Sequence, residues 1–352
     1  MSDVRITEND MLTETKTLLN LPPGYSARPA TLEDVPAITR LLNRTSQAMI
    51  GVEDYNENEL RKELQAPGLD LQADSLAILS ADGDLAAYVD MFALVKPQVY
   101  PMTFGRVHPD HMDRGLGSAV LAWSQARAEQ HLAEAPEHLR FAIRAFTYGG
   151  WQPAADLLAG NGYSLFRHAF KMRRDFNGDI EAPDWPEGVR IETYRHPDGA
   201  EAVYRALDEA FQDHFGHIHE PFEAGYERFT HFLIGDEAFD PDLWFLAKDG
   251  DEIAGVALCR KWDDEDRTAA YVADLGVRRQ WRKRGLGRAL LLHAFRAMQA
   301  RGLKAATLHV DAGSLTGAVR LYENAGMHVH RRIDRYEKLL RDGEEISTTA
   351  LD

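Results

Sequence analysis

The stretch richest in chemistry is "QWRKRGLGRALL", residues 280–291. Arg282, Lys283, Arg284 and Arg288 crowd around Gly285-Leu286-Gly287, directly ahead of an apolar run that continues through Ala289. A basic Gly-x-Gly loop between a strand and a helix can cradle phosphate. The first helical turn leaves backbone N–H groups unpaired, and the helix dipole adds partial positive charge there. Glycines let the backbone approach a pyrophosphate closely. The competing reading is a tight turn with a solvated basic face. The loop is not the dinucleotide fingerprint, because no third glycine follows, and it is not a P-loop, because no Gly-Lys-Ser/Thr follows.

A second concentration lies in "FQDHFGHIHEPFEAGYERF", residues 211–229, where Asp213, His214, His217, His219 and Glu220 gather. An imidazole titrates where it can accept a proton from an amine. The spacing matches no His-Glu-x-x-His zinc site, so no metal is expected. A polar loop with caps and one or two buried histidines is the alternative. The acidic "DDED", residues 263–266, reads as a solvated hairpin tip.

The elements that position these residues are written twice. Arg114-Gly115-Leu116-Gly117 matches Arg284-Gly285-Leu286-Gly287 at a spacing of 170. Asp82-Gly83 and Asp249-Gly250, each between β-rich apolar runs, predict hairpins 167 apart, and Gly162 matches Gly326 at 164. Each copy reads as strand, helix, hairpin, strand, glycine loop, long helix, strand, helix and final strand. In the second copy Leu286, Leu290, Ala294, Ala297 and Met298 recur at helical spacing, and Gly302 marks a stop. Strands alternating with helices predict an α/β fold with a mixed sheet in each half. The expected boundaries are an N-terminal extension over 1–24, domains over 25–176 and 189–345, a Pro- and Gly-containing linker over 177–188 and a tail over 346–352.

Composition narrows the partners. Of 352 residues, 40 are Lys or Arg and 56 Asp or Glu, a net charge of −16, which argues against a nucleic-acid partner. Cys259 is the one cysteine, so no intrachain disulfide can form. The first residues lack the apolar core of a signal peptide, and no run approaches the roughly 20 apolar residues of a spanning helix. A soluble cytoplasmic protein without a membrane partner is expected.

The run "LGVRRQWRKRGLGRA", residues 275–289, resembles the coenzyme A motif of the GNAT acetyltransferase superfamily: a Leu-x-Val strand end, then Arg/Gln-x-x-Gly-x-Gly/Ala. "TGAVRLYENAGM" resembles that family's second motif, a helix carrying Leu-Tyr before a glycine and the last strand. The whole chain looks like two tandem GNAT domains, an arrangement resembling that of mycothiol synthases, with the second copy the stronger match. The resemblance implies acetyl-CoA as co-substrate, with its pyrophosphate on the loop from Arg282 to Ala289. It also implies a backbone N–H at Leu275, Gly276 and Val277 that polarises the thioester carbonyl. An amine attacks that carbonyl directly, a base removes its proton, and a tyrosine, here Tyr322, protonates the leaving thiolate. Tyr322 reads equally as a core aromatic on an amphipathic helix.

The base is less plain. The family's base positions fall on Tyr271 and Ala273, neither of which can serve. Asp274 is adjacent, but strict alternation points it to the opposite face unless a bulge re-aims it. A structural hydrogen-bonding role is its alternative. His214 and His217 are further base candidates, and Asp213, His214, His217 and Glu220 are candidate acceptor-site residues, because in this family the segment after the first helix lines that site. The first copy departs further. Met112 holds the Arg/Gln position, Leu158 falls near the place of Tyr322, and Pro101 and Thr103 hold the base positions relative to Val107. With Arg114, Gly115 and Gly117 it keeps a CoA cradle but not the chemistry. In the second copy Leu315 replaces a frequent asparagine. The resulting expectation is an N-acetyltransferase acting on a small-molecule amine through its C-terminal domain. A non-catalytic acyl-CoA-binding or regulatory module is the alternative.

Overall fold

The computed structural model describes residues 19–350. The chain forms two compact units. One comprises the chain up to Phe166 together with Arg335–Glu345, and the other comprises Arg167–Asp334 and the residues from Ile346. The expected extension over 1–24 therefore lies mostly outside the described residues, but Leu19 is buried in one cluster with Leu76 and Ile78.

The first unit carries β1 (Ser26–Arg28), α1 (Val35–Ile50), α2 (Glu57–Glu63), β2 (Ser75–Leu79), β3 (Leu85–Phe92), β4 (Met102–Val107), α3 (Leu116–Glu134), β5 (Phe141–Tyr148) and α4 (Gln152–Gly160). Its strands lie in the order β1-β2-β3-β4-β5, antiparallel except for β4 and β5, which run parallel. Local chemistry sets the limits of the elements. Pro36 enters α1 in its first turn, and Gly51 closes it at φ 78°. Gly83 turns the β2–β3 hairpin at φ 85°.

The second unit repeats the plan. β6 (Ser164–Asp175), which belongs to this unit from Arg167 on, leads into β7 (Val189–Thr193), α5 (Ala200–Phe211), α6 (Phe222–Phe229), β8 (Phe239–Asp249), β9 (Glu252–Arg260), β10 (Ala269–Val277), α7 (Leu286–Ala300), β11 (Ala305–Asp311), α8 (Ala318–Asn324) and β12 (His328–Arg341), which belongs to it up to Asp334. Alternation along β9 shows why both sheet faces are covered. Val256 and Leu258 pack with Val203, Tyr204 and Leu207 of α5, while Ala257 and Cys259 pack with Leu290, Ala294 and Met298 of α7. Cys259 is fully buried, and burial pushes its thiol pKa up, which leaves it inert.

The unit boundary falls inside β6, ahead of the expected end at 176. Ala169–Asp175 runs antiparallel along β11, from Asp311↔Ala169 to Ala305↔Asp175. The edge of β11 thereby gains the partner that its row of backbone donors and acceptors requires. This strand also corrects the reading of 263–266 as a solvated tip. Asp263 is 3% exposed and Lys171, on β6, is 4% exposed. Lys171 Nζ lies 2.9 Å from Asp263 Oδ2 and 2.8 Å from Glu265 Oε1, and Thr307 Oγ1 donates to Asp263 Oδ2 at 2.6 Å. Burial alone would raise the Asp263 pKa, but the Lys171 ammonium and the Thr307 hydroxyl outweigh it and hold the carboxyl below its ordinary value. The sequence hid this cluster because the lysine comes from the other copy's last strand. Lys171→Met leaves the buried Asp263 carboxylate without its cation, whereas the half-buried Glu265 keeps Arg331 at 2.7 Å, and should destabilise the protein by about 3–5 kcal/mol, read from urea unfolding. Adding Asp263→Asn, which removes one unpaired charge, should restore part of the loss. An unchanged midpoint in Lys171→Met would refute a buried ion-pair cluster.

Candidate active site

β10 builds the centre of the second unit's site. It pairs with β11 only from Ala269↔Ala305 to Tyr271↔Thr307. Beyond Tyr271 the two strands part, and Leu275, Gly276 and Val277 keep β9 alone as neighbour. Their β11-facing edge is open to a ligand. A bulge also interrupts the β9–β10 ladder. Val272 faces Cys259 but Asp274 faces Leu258, so Ala273 is the extra residue. The bulge puts Asp274 on the face of Tyr271, Leu258 and Gly276, toward α5. It therefore stands on the face where an unbulged strand would show Tyr271 and Ala273. Burial pushes the Asp274 carboxyl up to about 6. No hydrogen bond or ion pair among the described residues stabilises its charge.

A cavity of about 440 Å³ opens at this strand end. Leu275–Val277, Arg282, Lys283 and Gly285–Arg288 of the loop, and Leu315, Leu321 and Tyr322 line it, with Ala210 and His214 from the end of α5 and beyond. Lys283 takes φ 62° and Gly285 φ 82°, which turns the chain sharply into α7. Leu286, Gly287 and Arg288 form the first turn of α7, so their N–H groups are the unpaired donors that a pyrophosphate needs. Lys283 and Arg284 are exposed beside them. Gly287 permits the close approach of α8, since a Cβ there would sit 3.0 Å from Leu321 Cδ1. A larger residue at Gly287 therefore disturbs packing as well as binding.

Three expected cradle residues have other work. Arg282 donates through Nε to the Val277 carbonyl at 3.0 Å, through Nη2 to the Ala210 carbonyl at 3.0 Å, and through Nη1 to Asp213. It is a strut that ties the loop to the strand end and to α5. Ala289 leaves the cradle because its N–H bonds the Gly285 carbonyl at 3.0 Å and its side chain is 1% exposed. Arg288 lines the cavity but pairs with Glu181 and donates to the Asn324 carbonyl at 3.3 Å.

The acceptor segment divides in the same way. Asp213 is buried between Arg279 and Arg282, whose hydrogen bonds hold its carboxyl below the usual range. Glu220 is paired with Arg228. Each carboxylate is thus engaged by arginine. His214 does line the cavity, and its ring is tilted by 37° against that of Phe211 with the centroids 4.0 Å apart. Burial, with help from Arg282, lowers its pKa, so it is neutral at pH 7. His217 stands apart from the cavity lining, with a buried Nε2 that finds no partner. The expected tail belongs here too. Thr348 accepts from Gly216 N–H at 2.8 Å and donates its own N–H to His217 at 2.9 Å, so residues after Ile346 brace this loop. Nothing in the short polar C-terminal stretch signals that pairing.

Tyr322, on α8, is 8% exposed and lines the cavity. Burial and then the nearby Asp274 charge drive its pKa well above the ordinary phenol value, so it stays protonated. The first unit has the matching loop, with Asp113 at φ 58° and Gly115 at φ 82°. A Cβ on Gly117 would meet Leu157 Cδ2 at 2.7 Å, as one on Gly287 meets Leu321. That contact aligns Leu158 with Tyr322. Leu158 and Met112 line a cavity of about 400 Å³, whereas Arg114 reaches Tyr25 Oη at 3.3 Å.

The acetyltransferase (GNAT) family model matches residues 200–327. A mycothiol acetyltransferase from Thermobispora bispora is 33% identical over 258 residues, covering 71% of this chain and 79% of the relative. The chain belongs to the GNAT acetyltransferase family. A second mycothiol acetyltransferase, from Streptomyces coelicolor, is 29% identical and covers 85% of this chain and 90% of its own. A solved GCN5-related N-acetyltransferase from Sphaerobacter thermophilus superposes with TM-score 0.76 at 32% identity, over 94% of this chain and 100% of its own. A tandem GNAT protein of the clavulanic acid biosynthesis pathway shares the fold at TM-score 0.66 and 13% identity, over 91% of this chain. This tandem GNAT N-acetyltransferase thus takes acetyl-CoA as its acetyl donor. Among the described residues no helix is long and apolar enough to cross a membrane, and no group of three or more His, Cys, Asp and Glu could hold a metal ion.

Proposed function

We propose that the second unit transfers the acetyl group of acetyl-CoA to the amine of a small molecule, and that the first unit does not catalyse. What carries this reading is the pairing, at the parted end of β10, of a carboxyl poised at about 6 with a phenol kept protonated. The first unit has Leu158 in place of that phenol. The amine nitrogen attacks the thioester carbonyl, whose oxygen accepts from the backbone N–H groups of the β10 end. Asp274, next to the lining residue Leu275 but not itself part of the lining, takes the amine proton through a water as the C–N bond forms. The C–S bond breaks, and the thiolate takes its proton from the Tyr322 hydroxyl. Arg282 and Asp213 hold the strand end in place, and His214 borders the acceptor side. The relatives named mycothiol acetyltransferases support a small-molecule acceptor.

The test is free thiol released from acetyl-CoA across a panel of small amines, matched to acetylated amine by mass. Lys283→Glu/Arg284→Glu places like charge at the pyrophosphate without touching the core. Its acetyl-CoA Kd should rise about 10–100-fold, the loss of one charge-assisted contact or more. No amine-dependent thiol release, with tight acetyl-CoA binding, would instead indicate a binding module. An unchanged Kd in the double variant would remove the loop from the cofactor site.

A further inference from the structure

The first unit's cavity contains a charge that the acetyl-transfer scheme leaves unused. Arg106, on β4, stands at the position of Gly276 in the second unit. There even a Cβ would be crowded, lying 3.0 Å from Ala210 Cβ and 3.4 Å from Phe211 Cε2. In the first unit the Arg106 side chain lines the cavity near Thr45 and Met49 of α1, and the residue is 7% exposed. Its Cζ lies 4.3 Å from the Phe104 ring centroid and 5.8 Å from that of Phe146. Nη1 donates to the Gly105 carbonyl at 2.9 Å, while Nε and Nη2 are buried with no partner.

A guanidinium cannot shed its proton to escape burial. Left unpaired, such a charge costs several kcal/mol in a protein interior. The near acid does not relieve it. Asp90, diagonal to Arg106 across the β3–β4 ladder, accepts from the Tyr88 hydroxyl at 2.9 Å and leaves its Oδ1 without a partner. Burial pushes Asp90 up to about 8, so it is neutral at pH 7. The Nε–Nη2 edge is the side of arginine that receives both oxygens of a carboxylate in two parallel hydrogen bonds. Arg106 is the one Lys or Arg among the cavity's lining residues, which suits a singly charged anion better than a phosphate. Met49, Phe146 and Leu121 line the same space and suit an apolar remainder.

We propose that the first unit binds a ligand through a carboxylate seated side-on on the Arg106 guanidinium, with the rest of the ligand in the adjoining cavity. The carboxylate can belong to a free small acid. It can equally end the acyl chain of a CoA thioester, because the cavity continues to Gly115 and Gly117. The proposal does not depend on the transfer reaction of the second unit.

Calorimetry on the full chain with succinate, succinyl-CoA and acetyl-CoA tests it, using wild type, Arg106→Met and Arg106→Lys. The wild type should bind succinate or succinyl-CoA at a site that Arg106→Met weakens at least tenfold. Arg106→Lys, which keeps the charge without the fork, should fall between them. Acetyl-CoA, lacking the carboxylate, should show no dependence on Arg106, which separates loss of the ion pair from collapse of the cavity. Without ligand, Arg106→Met should melt no lower than wild type, because an unpaired buried charge has gone. An Arg106-dependent response to succinate alone assigns a free acid, and one to succinyl-CoA alone assigns the thioester. If neither probe binds, or if both bind wild type and Arg106→Met equally, the proposal is overturned. Should Arg106→Met fail to fold, the same comparison with Arg106→Lys decides.

Discussion

Asp274→Asn should lower kcat about 10²–10⁴-fold, the usual contribution of a positioned general base. The amide keeps the size and the bulged strand but cannot accept a proton. Wild-type kcat/KM should fall as pH drops through about 6, where the carboxyl becomes protonated, and this limb should be absent from the variant. Stability supplies a second reading of opposite sign. The folded-state pKa of Asp274 is raised above its ordinary value, so folding favours the protonated form. Its charge therefore penalises the fold increasingly as pH rises from the ordinary value of 3.8 to about 6, and by a constant amount above that. Asp274→Asn should melt higher than wild type at pH 8, with the gap shrinking toward pH 5. A variant that is both slower and more stable marks a carboxyl held against its preference for function. If Asp274→Asn keeps the acid limb and full activity, the base lies elsewhere, and His214→Ala is the next variant. His214 lines the cavity itself, which neither Asp274 nor His217 does.

The repeat and the two glycine loops are legible in the sequence because backbone requirements write themselves in glycine. Gly115 and Gly285 both adopt φ 82°, and a Cβ at Gly117 or Gly287 would meet the following helix. The roles of the charged residues are less legible, because types and spacings do not say which groups pair. Arg282 fits the family motif, yet its donors go to Val277, Ala210 and Asp213. Asp213 and Glu220 belong to a promising acidic segment, yet each is held by arginine. The decisive local event, the bulge at Ala273, leaves no mark in "YVADLG", since alternation fails there without a glycine or proline. Lys171 and Arg106 were invisible for a related reason. A lysine or arginine within a strand looks like a solvent-facing residue until its burial is known.

Tyr322→Phe isolates the other half of the proton inventory. The phenol is nearly buried, lines the cavity and is held protonated by burial and by the Asp274 charge. Removing only the hydroxyl leaves the ring packed on α8, so acetyl-CoA affinity and melting temperature should change little. Loss of a general acid should lower kcat by about 10²–10⁴. The defect should depend on the leaving group. A thioester of a more acidic thiol departs as thiolate without help, so such a donor should recover most of the lost rate, whereas acetyl-CoA should not. Asp274→Asn should show no such recovery, because its missing step is removal of the amine proton. The Phe variant should also relieve the unfavourable proximity of phenol and carboxylate only when the phenol is ionised, far above neutral pH, so the acid limb set by Asp274 should survive unchanged. Steady-state rates with both donors settle the assignment. Normal turnover by Tyr322→Phe with acetyl-CoA would make the residue a core aromatic and place the thiolate's proton source elsewhere. A variant equally slow with both donors would show that the hydroxyl orients the site rather than donating its proton.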